Sequence, residues 1–184
     1  MTRKIILIGG GVRSGKSAFA VECALTMGER RGFVATATRS DDEMNARIDR
    51  HRVDRKDAFS TVEEPLALAE ALESLAGHDV VVVDCLTHWL SNLLIRKLSN
   101  EDILKRIDEA VAVLQKRLFH ALLVSNEVGM SVHPPTPLGR AFVELCGWAH
   151  QRFARAADEV HLAVLGTILR IKPAPSALIV EGEA

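Results

Sequence analysis

The sequence predicts an α/β protein in which helices cover both faces of a mostly parallel central sheet. Short runs rich in β-branched residues alternate along the chain with longer stretches of helical periodicity. These runs are apolar at successive positions, which indicates strands buried on both faces and therefore a three-layer fold. The predicted strands span about 4–9, 32–37, 79–84, 120–125 and 159–165, and the predicted helices about 15–30, 41–53, 64–76, 87–97, 100–118 and 137–157.

Local signals support two of the helix starts. Ser99 or Asn100 can cap the helix that begins at Glu101, because a short polar side chain accepts hydrogen bonds from the first free N–H groups. Pro65 stands near the first turn of another predicted helix, where its missing N–H costs little. The tail after Lys172 is expected to be an edge strand or disordered, and no function is inferred for it.

A phosphate-binding pattern, G-x-x-x-x-G-K-S, follows the first predicted strand. Glycines let the backbone curl so that N–H groups point at phosphate oxygens, and the helix starting near the second glycine adds its positive dipole end. In such a loop the lysine meets the β- and γ-phosphates and the serine hydroxyl holds Mg²⁺. The alternative, a glycine-rich turn with an incidental lysine, is disfavoured by the flanking strand and helix. The sequence therefore predicts a P-loop NTPase-type fold that binds a nucleoside triphosphate. The loop residues are Gly10, Gly11, Val12, Arg13, Ser14, Gly15, Lys16 and Ser17.

Composition indicates one domain and argues against several classes of partner. The chain has 184 residues, 48% hydrophobic and 26% charged, enough to bury a core without disulfides. Its three cysteines form no C-x-x-C pair, which argues against a disulfide framework and a zinc site. A net charge of −1, with no leader and no long apolar run, argues against nucleic-acid binding, export and a membrane span. We expect a cytoplasmic domain over 1–172 with a tail over 173–184, acting on small molecules and assembling with its own copies.

Asp84 is the second predicted element of the phosphate site. It ends the four-valine run Val80–Val83, and in a parallel sheet that position lies at the carboxyl edge, where ligands of open α/β sheets bind. A carboxylate there can hold the Mg²⁺ shell. The alternative is that Asp84 only starts the next turn or caps the following helix. Asp79 begins the same run and lies at the wrong end for this role.

Residues 41–55 combine acidic and basic residues with a histidine. In a helix, Met44 and Ile48 face the core, while Arg47, His51 and Arg55 are spaced by four on another face. One imidazole between two guanidinium groups suits a phosphate, because arginine is a permanent bidentate donor. The neighbouring cations disfavour ring protonation and keep the nucleophilic form available. A solvated helix face of mixed charge is the alternative, and spacing does not decide between the two.

The order of these motifs resembles the bifunctional adenosylcobinamide kinase/adenosylcobinamide-phosphate guanylyltransferase family of cobalamin synthesis. The resemblance runs from about residue 4 to Lys172 without large gaps. Several of its blocks are specific to that family rather than general to phosphate-loop proteins. The matching blocks are Gly10–Ser17, Ala35–Thr36, Asp41–His51, Glu63–Pro65, Asp84–Thr87 with Asn92–Leu94, Ser125–Met130, Gly147–Arg152 and Ala157–Val160.

The resemblance implies two reactions. The aminopropanol hydroxyl of adenosylcobinamide takes the γ-phosphoryl group of ATP or GTP, and GTP then gives GMP to the new phosphate and releases pyrophosphate. It implies that His51 carries the GMP in a covalent intermediate and that the protein is a homotrimer. From the motifs above, Lys16 is the second expected catalytic residue, and Ser17 and Asp84 are the expected Mg²⁺ ligands. The further nucleotide contacts that the resemblance implies are Ala35, Thr36, Ala37, Arg52, Val53, Asp54, Arg55, Glu63 and Asp84.

The chain also departs from the family pattern. Asp54-Arg55-Lys56 and Phe59 stand where the family usually has Arg-Arg-Pro and Trp, so a turn fixed by proline is freer here. His150 stands in place of a usual Asn, and Glu144 in place of a common Asp. The loop, His51 and Asp84 are intact, so we expect these changes to alter nucleotide preference or corrinoid access more than the chemistry.

Two other functions are compatible with the motifs. The first is a single-function small-molecule kinase in which His51 is a passive phosphate contact, and the second is a nucleotide-dependent regulator without transfer chemistry. A GTPase-like switch is disfavoured because the chain has no Asn-Lys-x-Asp element. His88 and Trp89 are expected to be structural, whereas His133-Pro134-Pro135 is a stiff connector or a wall of the corrinoid cleft.

Overall fold

The computed structural model describes residues 2–38 and 58–173. The predicted helix over 41–53 and residues 174–184 of the tail lie outside these ranges. The strands are β1 (Ile5–Gly10), β2 (Arg31–Ala35), β3 (Ser60–Glu63), β4 (Val80–Asp84), β5 (His120–Asn126), β6 (Glu159–Val164) and β7 (Thr167–Lys172). The helices are α1 (Lys16–Met27), α2 (Leu68–Ser74), α3 (Leu86–Ile95), α4 (Asn100–Gln115) and α5 (Pro137–Ala156).

The seven strands form one sheet in the order β3-β2-β4-β5-β1-β6-β7. Every pairing from β3 to β6 is parallel, and only the hairpin β6–β7 is antiparallel. Because β4 and β1 both flank β5, the strand that leads into the phosphate loop and the strand that ends in Asp84 are two positions apart. The predicted mostly parallel α/β fold is confirmed.

Two apolar layers enclose the sheet. Val80, Val81, Val82 and Val83 have no exposed surface, and they alternate between the two layers. Helix α1 packs on one face against Ile6, Ile8 and their neighbours, while α2 to α5 pack on the other. Continuous burial on both faces explains why the central strands are apolar at every position. Within the described residues, no helix combines the length and apolar character needed to cross a bilayer.

Two strands were not predicted, and both lie at the edges of the sheet. Strand β3 is four residues long and largely exposed, so it lacks the apolar run that marks the central strands. Strand β7 follows a turn at Leu165-Gly166 and pairs antiparallel with β6. The rest of the chain alternates helices and strands, and that pattern does not predict a hairpin at its end. Lys172 at its end donates from Nζ to the carbonyl oxygens of Ala154 (2.7 Å) and Ala157 (2.6 Å), and so caps the C-terminus of α5.

The structure corrects one helix start and confirms another. Helix α2 begins at Leu68, four residues after the predicted start at about 64, so Pro65, expected near the first turn, lies before the helix. The Glu64 carboxylate instead accepts hydrogen bonds from the N–H groups of Leu66 and Ala67, each at 2.8 Å, and holds a turn there. Ser99 caps α4, because its hydroxyl accepts a hydrogen bond from the Asp102 N–H at 3.1 Å.

The amino edge of the sheet is held by Asp158, the residue just before β6. Its carboxylate accepts a hydrogen bond from the Ile5 N–H at 2.7 Å and forms an ion pair with Arg117. Arg117 also donates to the Arg3 carbonyl at 2.7 Å, so one ion pair ties together the chain entering β1, the chain before β5 and the start of β6. The hydrogen bond from Arg117 is the main cause that lowers the Asp158 pKa.

We predict that Asp158→Asn makes the free energy of unfolding less dependent on pH in the acid range. A carboxylate whose pKa is lowered on folding stabilises the protein above its unfolded-state pKa of about 3.9, and that contribution is lost as pH falls through the folded-state value. The free energy of unfolding, measured with urea at several pH values from 7 to 3, should therefore fall more steeply below about pH 4 in the wild type than in the variant. Identical pH dependence in the two proteins would refute the assignment.

Candidate functional site

The phosphate loop lies at the carboxyl edge of the sheet, between β1 and α1. Gly10 ends β1 and is in register with Asn126 of β5 and Ala163 of β6. A Cβ atom at Gly10 would lie 2.5 Å from the Ala163 carbonyl oxygen, so only glycine fits at this point. Gly11, Val12 and Arg13 are exposed, and the chain turns back into α1 at Gly15 with a φ of 93°. The predicted strand-loop-helix context of the motif is confirmed.

The start of α1 has the features of an anion site. No side chain of the described residues caps this helix, so its first N–H groups face the loop without a side-chain acceptor. Lys16 is 6% exposed, and its Nζ donates to the Gly11 carbonyl at 2.8 Å across the loop. The Ser14 hydroxyl is buried and has no hydrogen-bond partner in the described structure. Several donors thus converge on one small volume, which suits the oxygens of a polyphosphate.

A pair of hydrogen bonds joins the end of β2 to the end of β4. The fully buried Thr36 hydroxyl donates to the Cys85 carbonyl at 2.7 Å and accepts from the Cys85 N–H at 2.8 Å. Asn92 on α3 donates to the Thr36 carbonyl at 2.8 Å and to the Pro65 carbonyl at 3.1 Å. With the Thr36 N–H donating to the Asp84 carbonyl at 3.3 Å, these contacts fix the backbone at Asp84 and Cys85. The Thr36 hydroxyl therefore both donates and accepts a hydrogen bond within the protein.

The ends of β3, β2 and β4 present the other predicted residues side by side. Glu63, Ala35 and Asp84 are successive partners in register, with Glu63 exposed and Asp84 half-buried. Ala37 follows Thr36 at the same edge. The structure thus places Glu63, Ala35–Ala37, Asp84 and the phosphate loop at one edge, with Ser17 in the first turn of α1.

Four predicted nucleotide contacts and the predicted nucleophile fall outside the described residues. These are His51, Arg52, Val53, Asp54 and Arg55, and the proximity of His51 to the loop stays a prediction. Of the departures from the family pattern, Phe59 is described and is buried, with its ring edge-to-face against Phe33 at 6.0 Å. Phe59 therefore contributes to the core.

A polar cluster beside the loop was not predicted as part of the site. Its members are Thr87, Ser125, Glu127 and His150, which we call the β5 cluster. The Thr87 hydroxyl accepts from the Asn126 N–H at 2.6 Å and lies 3.1 Å from the Ser125 hydroxyl, which lies 2.7 Å from His150 Nε2. The Glu127 N–H donates to the Gly10 carbonyl at 2.9 Å, which ties the cluster to the phosphate loop.

His150 is the titratable centre of the β5 cluster. Burial lowers its pKa, and the Glu127 carboxylate opposes that shift from 3.7 Å, the distance between Glu127 Oε2 and His150 Nδ1. The Glu127 side chain also accepts from the Gly129 N–H at 2.6 Å and remains about a quarter exposed. A signal for this cluster exists in the sequence, since polar Ser125 and Asn126 end an apolar strand and Glu127 follows it, just as Asp84 ends the valine strand.

Two other histidines, His161 and His120, make structural contacts. His161 stacks on Phe19 and hydrogen-bonds to Glu159 at 2.9 Å, and His120 Nδ1 accepts from the Lys4 N–H at 3.1 Å. Trp89 is fully buried, and its indole N–H donates to the Leu66 carbonyl at 2.9 Å, which confirms its predicted structural role. Across residues 2–38 and 58–173 no three His, Cys, Asp or Glu side chains cluster as a metal site would require.

Comparison with known proteins identifies the family. The model of cobinamide kinase / cobinamide phosphate guanyltransferase matches residues 6–171. The chain belongs to this family. It is therefore a transferase of cobalamin biosynthesis that acts on cobinamide and uses nucleotide substrates. The resemblance inferred from the sequence motifs is confirmed.

Individual relatives are similar in sequence over almost the whole chain. The bifunctional adenosylcobalamin biosynthesis protein CobP of Pseudomonas aeruginosa is 40% identical, over 92% of this chain and 98% of its own. The bifunctional adenosylcobalamin biosynthesis protein CobU of Escherichia coli is 35% identical, over 91% of this chain and 99% of its own. The flagellar accessory protein FlaH of Methanocaldococcus jannaschii shares the fold with a TM-score of 0.50 at 12% identity, covering 91% of this chain and 75% of that chain.

We predict that Thr36→Val in this cobinamide kinase / guanyltransferase lowers the free energy of unfolding by about 1–3 kcal/mol, because the buried Cys85 N–H and carbonyl lose their shared partner. Valine has nearly the same shape, so packing is preserved. Thr61→Val, at an exposed position of β3, is the matched control and should change stability by less than about 0.5 kcal/mol. Equal effects of the two substitutions in urea unfolding would contradict the role given to the Thr36 hydroxyl.

Proposed function

We propose that one triphosphate site at the carboxyl edge serves both activities. The γ-phosphoryl group of ATP or GTP is transferred to the hydroxyl of adenosylcobinamide, and the GMP unit of GTP is then transferred to the resulting phosphate through guanylylated His51. The observation that carries this proposal is the phosphate loop, where the uncapped start of α1 and the buried Lys16 face one volume. Family membership supplies the acceptor.

Each loop group has a chemical task in this proposal. Lys16 turns from the Gly11 carbonyl to the β- and γ-phosphates and offsets the charge that develops as either bond to phosphorus breaks. The N–H groups at the start of α1 bind the remaining phosphate oxygens. These groups bind the triphosphate without reacting themselves. The same phosphate loop can therefore serve attack at the γ-phosphorus and attack at the α-phosphorus.

We propose Ser17 and Asp84 as the protein ligands of Mg²⁺. A hydroxyl and a carboxylate are hard oxygen donors, and a site with few protein ligands suits an ion that keeps its waters and binds phosphate oxygens. When bound, the ion neutralises negative charge on the triphosphate. Asp84 is held for this role by the two Thr36–Cys85 hydrogen bonds at the next residue and by the Thr36 N–H, which donates to the Asp84 carbonyl at 3.3 Å.

In the guanylyl transfer, the neutral imidazole of His51 attacks the α-phosphorus of GTP. A P–N bond forms, the bond from the α-phosphorus to the bridging oxygen breaks, and pyrophosphate leaves. The phosphate of the acceptor then attacks the same phosphorus and releases the histidine. A covalent intermediate divides one difficult transfer into two easier steps. Arg52–Arg55, Ala35–Ala37 and Glu63 are the proposed contacts of the nucleotide in this step.

We further propose that residues 1–172 act as one domain in a cytoplasmic homotrimer. Free thiols at Cys23, Cys85 and Cys146 suit a reducing compartment. The β6–β7 hairpin exposes a set of apolar side chains that suits burial against a second copy of the chain. Their exposed fractions are 97% for Leu165, 49% for Leu169 and 49% for Ile171.

The covalent intermediate predicts that GTP labelled in its α-phosphate transfers acid-labile, alkali-stable label to the wild-type protein. His51→Ala should take up no label but keep phosphorylating cobinamide, because only the second reaction uses the imidazole. Lys16→Met should lose both activities, since both need the triphosphate cradle. His78→Ala, at the amino edge of the sheet, is the control and should label as the wild type does.

Two outcomes would decide against parts of this scheme. A wild-type protein that phosphorylates cobinamide but never carries label is a single-function kinase. Full labelling of His51→Ala would move the nucleophile to another residue.

For the assembly, we predict a solution mass of three times the 20.1 kDa chain by light scattering. Leu165→Asp should lower the trimer fraction, because it buries a charge in the proposed interface. Leu138→Asp, also exposed but on α5, is the control. A wild-type monomer at micromolar concentration would refute the proposal.

A further inference from the structure

The β5 cluster borders a cavity of about 280 Å³ on the α5 side of the sheet. Its walls are mainly apolar, from Leu7, Leu162 and Ile171 on the strands and Ala154 on α5, and its polar lining includes Glu127 and His150. An apolar pocket with a few convergent polar groups is the usual form of a small-molecule site. The mechanism above uses neither the cavity nor these polar groups.

The register of the sheet relates this cavity to the phosphate loop. Neighbouring residues of a strand point to opposite faces, and partners in register share a face. Gly9 pairs with Ser125, whose hydroxyl contacts His150 of α5, so these two residues face the cavity. Gly10 pairs with Asn126, one position further on and therefore on the opposite, α1 face. Glu127 follows at the rim, with its N–H on Gly10 and its carboxylate beside His150.

One arrangement of protons gives each hydroxyl of the β5 cluster both a donor and an acceptor. The Glu127 carboxylate favours a proton on His150 Nδ1, so Nε2 of the neutral ring is an acceptor and the Ser125 hydroxyl donates to it. The Ser125 oxygen then accepts from the Thr87 hydroxyl, which accepts from the Asn126 N–H. Every donor is directed toward Glu127. These contacts orient the carboxylate at the rim of the cavity.

We propose that this cavity receives the hydroxyl-bearing arm of the acceptor, and that Glu127 is the general base of the kinase step, with His150 as its positioning residue. The acceptor oxygen forms a bond to the γ-phosphorus, and the bond from that phosphorus to the bridging oxygen breaks. The hydroxyl proton moves to the Glu127 carboxylate, and the nucleoside diphosphate leaves with the bridging electrons. This rests on the proposed kinase function and deepens it. Nucleotide and acceptor then approach the edge from opposite faces, an arrangement compatible with attacking and leaving oxygens in line with the γ-phosphorus.

The test measures the two reactions separately. Wild type and variants are assayed with cobinamide and Mg-ATP for the kinase step, and with α-labelled GTP for protein labelling. Glu127→Gln keeps an acceptor for the Gly129 N–H but removes the base, so kcat of the kinase step should fall by about 100-fold or more. Its KM for ATP and its labelling should stay near wild type. Glu109→Gln, an exposed glutamate on α4, is the matched control.

The positioning role of His150 has its own pair of variants. In His150→Asn, the amide oxygen can accept from Ser125 and the amide N–H can face Glu127, so kcat should stay close to wild type. Leucine in His150→Leu is similar in size to histidine but cannot hydrogen-bond to Ser125 or direct an N–H at Glu127. We therefore expect kcat to fall by about tenfold while KM for ATP is unchanged. A merely structural histidine would give the two variants equal kinetics, and that result would overturn its assignment.

Occupancy of the cavity is tested by Ala154→Leu. Filling the cavity should raise KM for cobinamide without changing KM for ATP or labelling by GTP. Ala112→Leu, on the exposed face of α4, is the control. An unchanged KM for cobinamide would show that the arm binds elsewhere and would overturn the proposal.

The outcomes separate this inference from the proposed function. A wild-type protein that does not phosphorylate cobinamide refutes the kinase function and the inference with it. An active wild type with an equally active Glu127→Gln refutes only the inference. Loss of labelling together with kinase activity in Glu127→Gln, at an unchanged melting temperature, also overturns it, because a base for one step should not affect the other.

Discussion

The parallel pairing of β3, β2, β4, β5 and β1 is the constraint on which the site depends. Because these strands run in the same direction, all of them end at one edge, and residues distant in sequence meet there. The register makes the convergence specific, since Asp84 lies beside Ala35 and Gly10 beside Asn126.

The same convergence creates a problem of unpaired polar groups, which the protein solves locally. Strand ends leave backbone groups without ladder partners at a place that is partly buried. Thr36 satisfies both backbone groups of Cys85, and Thr87 satisfies the Asn126 N–H. The Ser14 hydroxyl and the start of α1 differ, because no side chain of the described residues satisfies them. These unmet donors lie at the phosphate loop, where an anionic ligand is expected.

How far the sequence could predict this arrangement depends on how local each signal is. The phosphate loop, Ser99 as a helix cap and the buried valine strand were predictable because the determining residues are adjacent. Strand β3 was missed because its residues are exposed and only pairing with β2 makes it a strand. The β5 cluster was missed because Ser125 lies 38 residues from Thr87 and 25 from His150, and only the fold joins them.

The position of β2 bears on whether one chain can supply both proposed catalytic groups. The segment that contains His51 leaves the sheet after β2, which the order of strands separates from β1 by β4 and β5. Three strand spacings amount to about 14 Å, whereas residues 39–51 can span up to about 40 Å when extended. Chain length therefore allows His51 to serve the loop of its own subunit, and a trimer is not needed merely to bridge the distance. Within the proposed mechanism, γ-transfer uses Glu127 at the β5 end of the edge and α-transfer uses a residue arriving from the β2 side. Because the α- and γ-phosphorus atoms occupy opposite ends of one triphosphate, this separation lets a single bound nucleotide orientation serve both attacks.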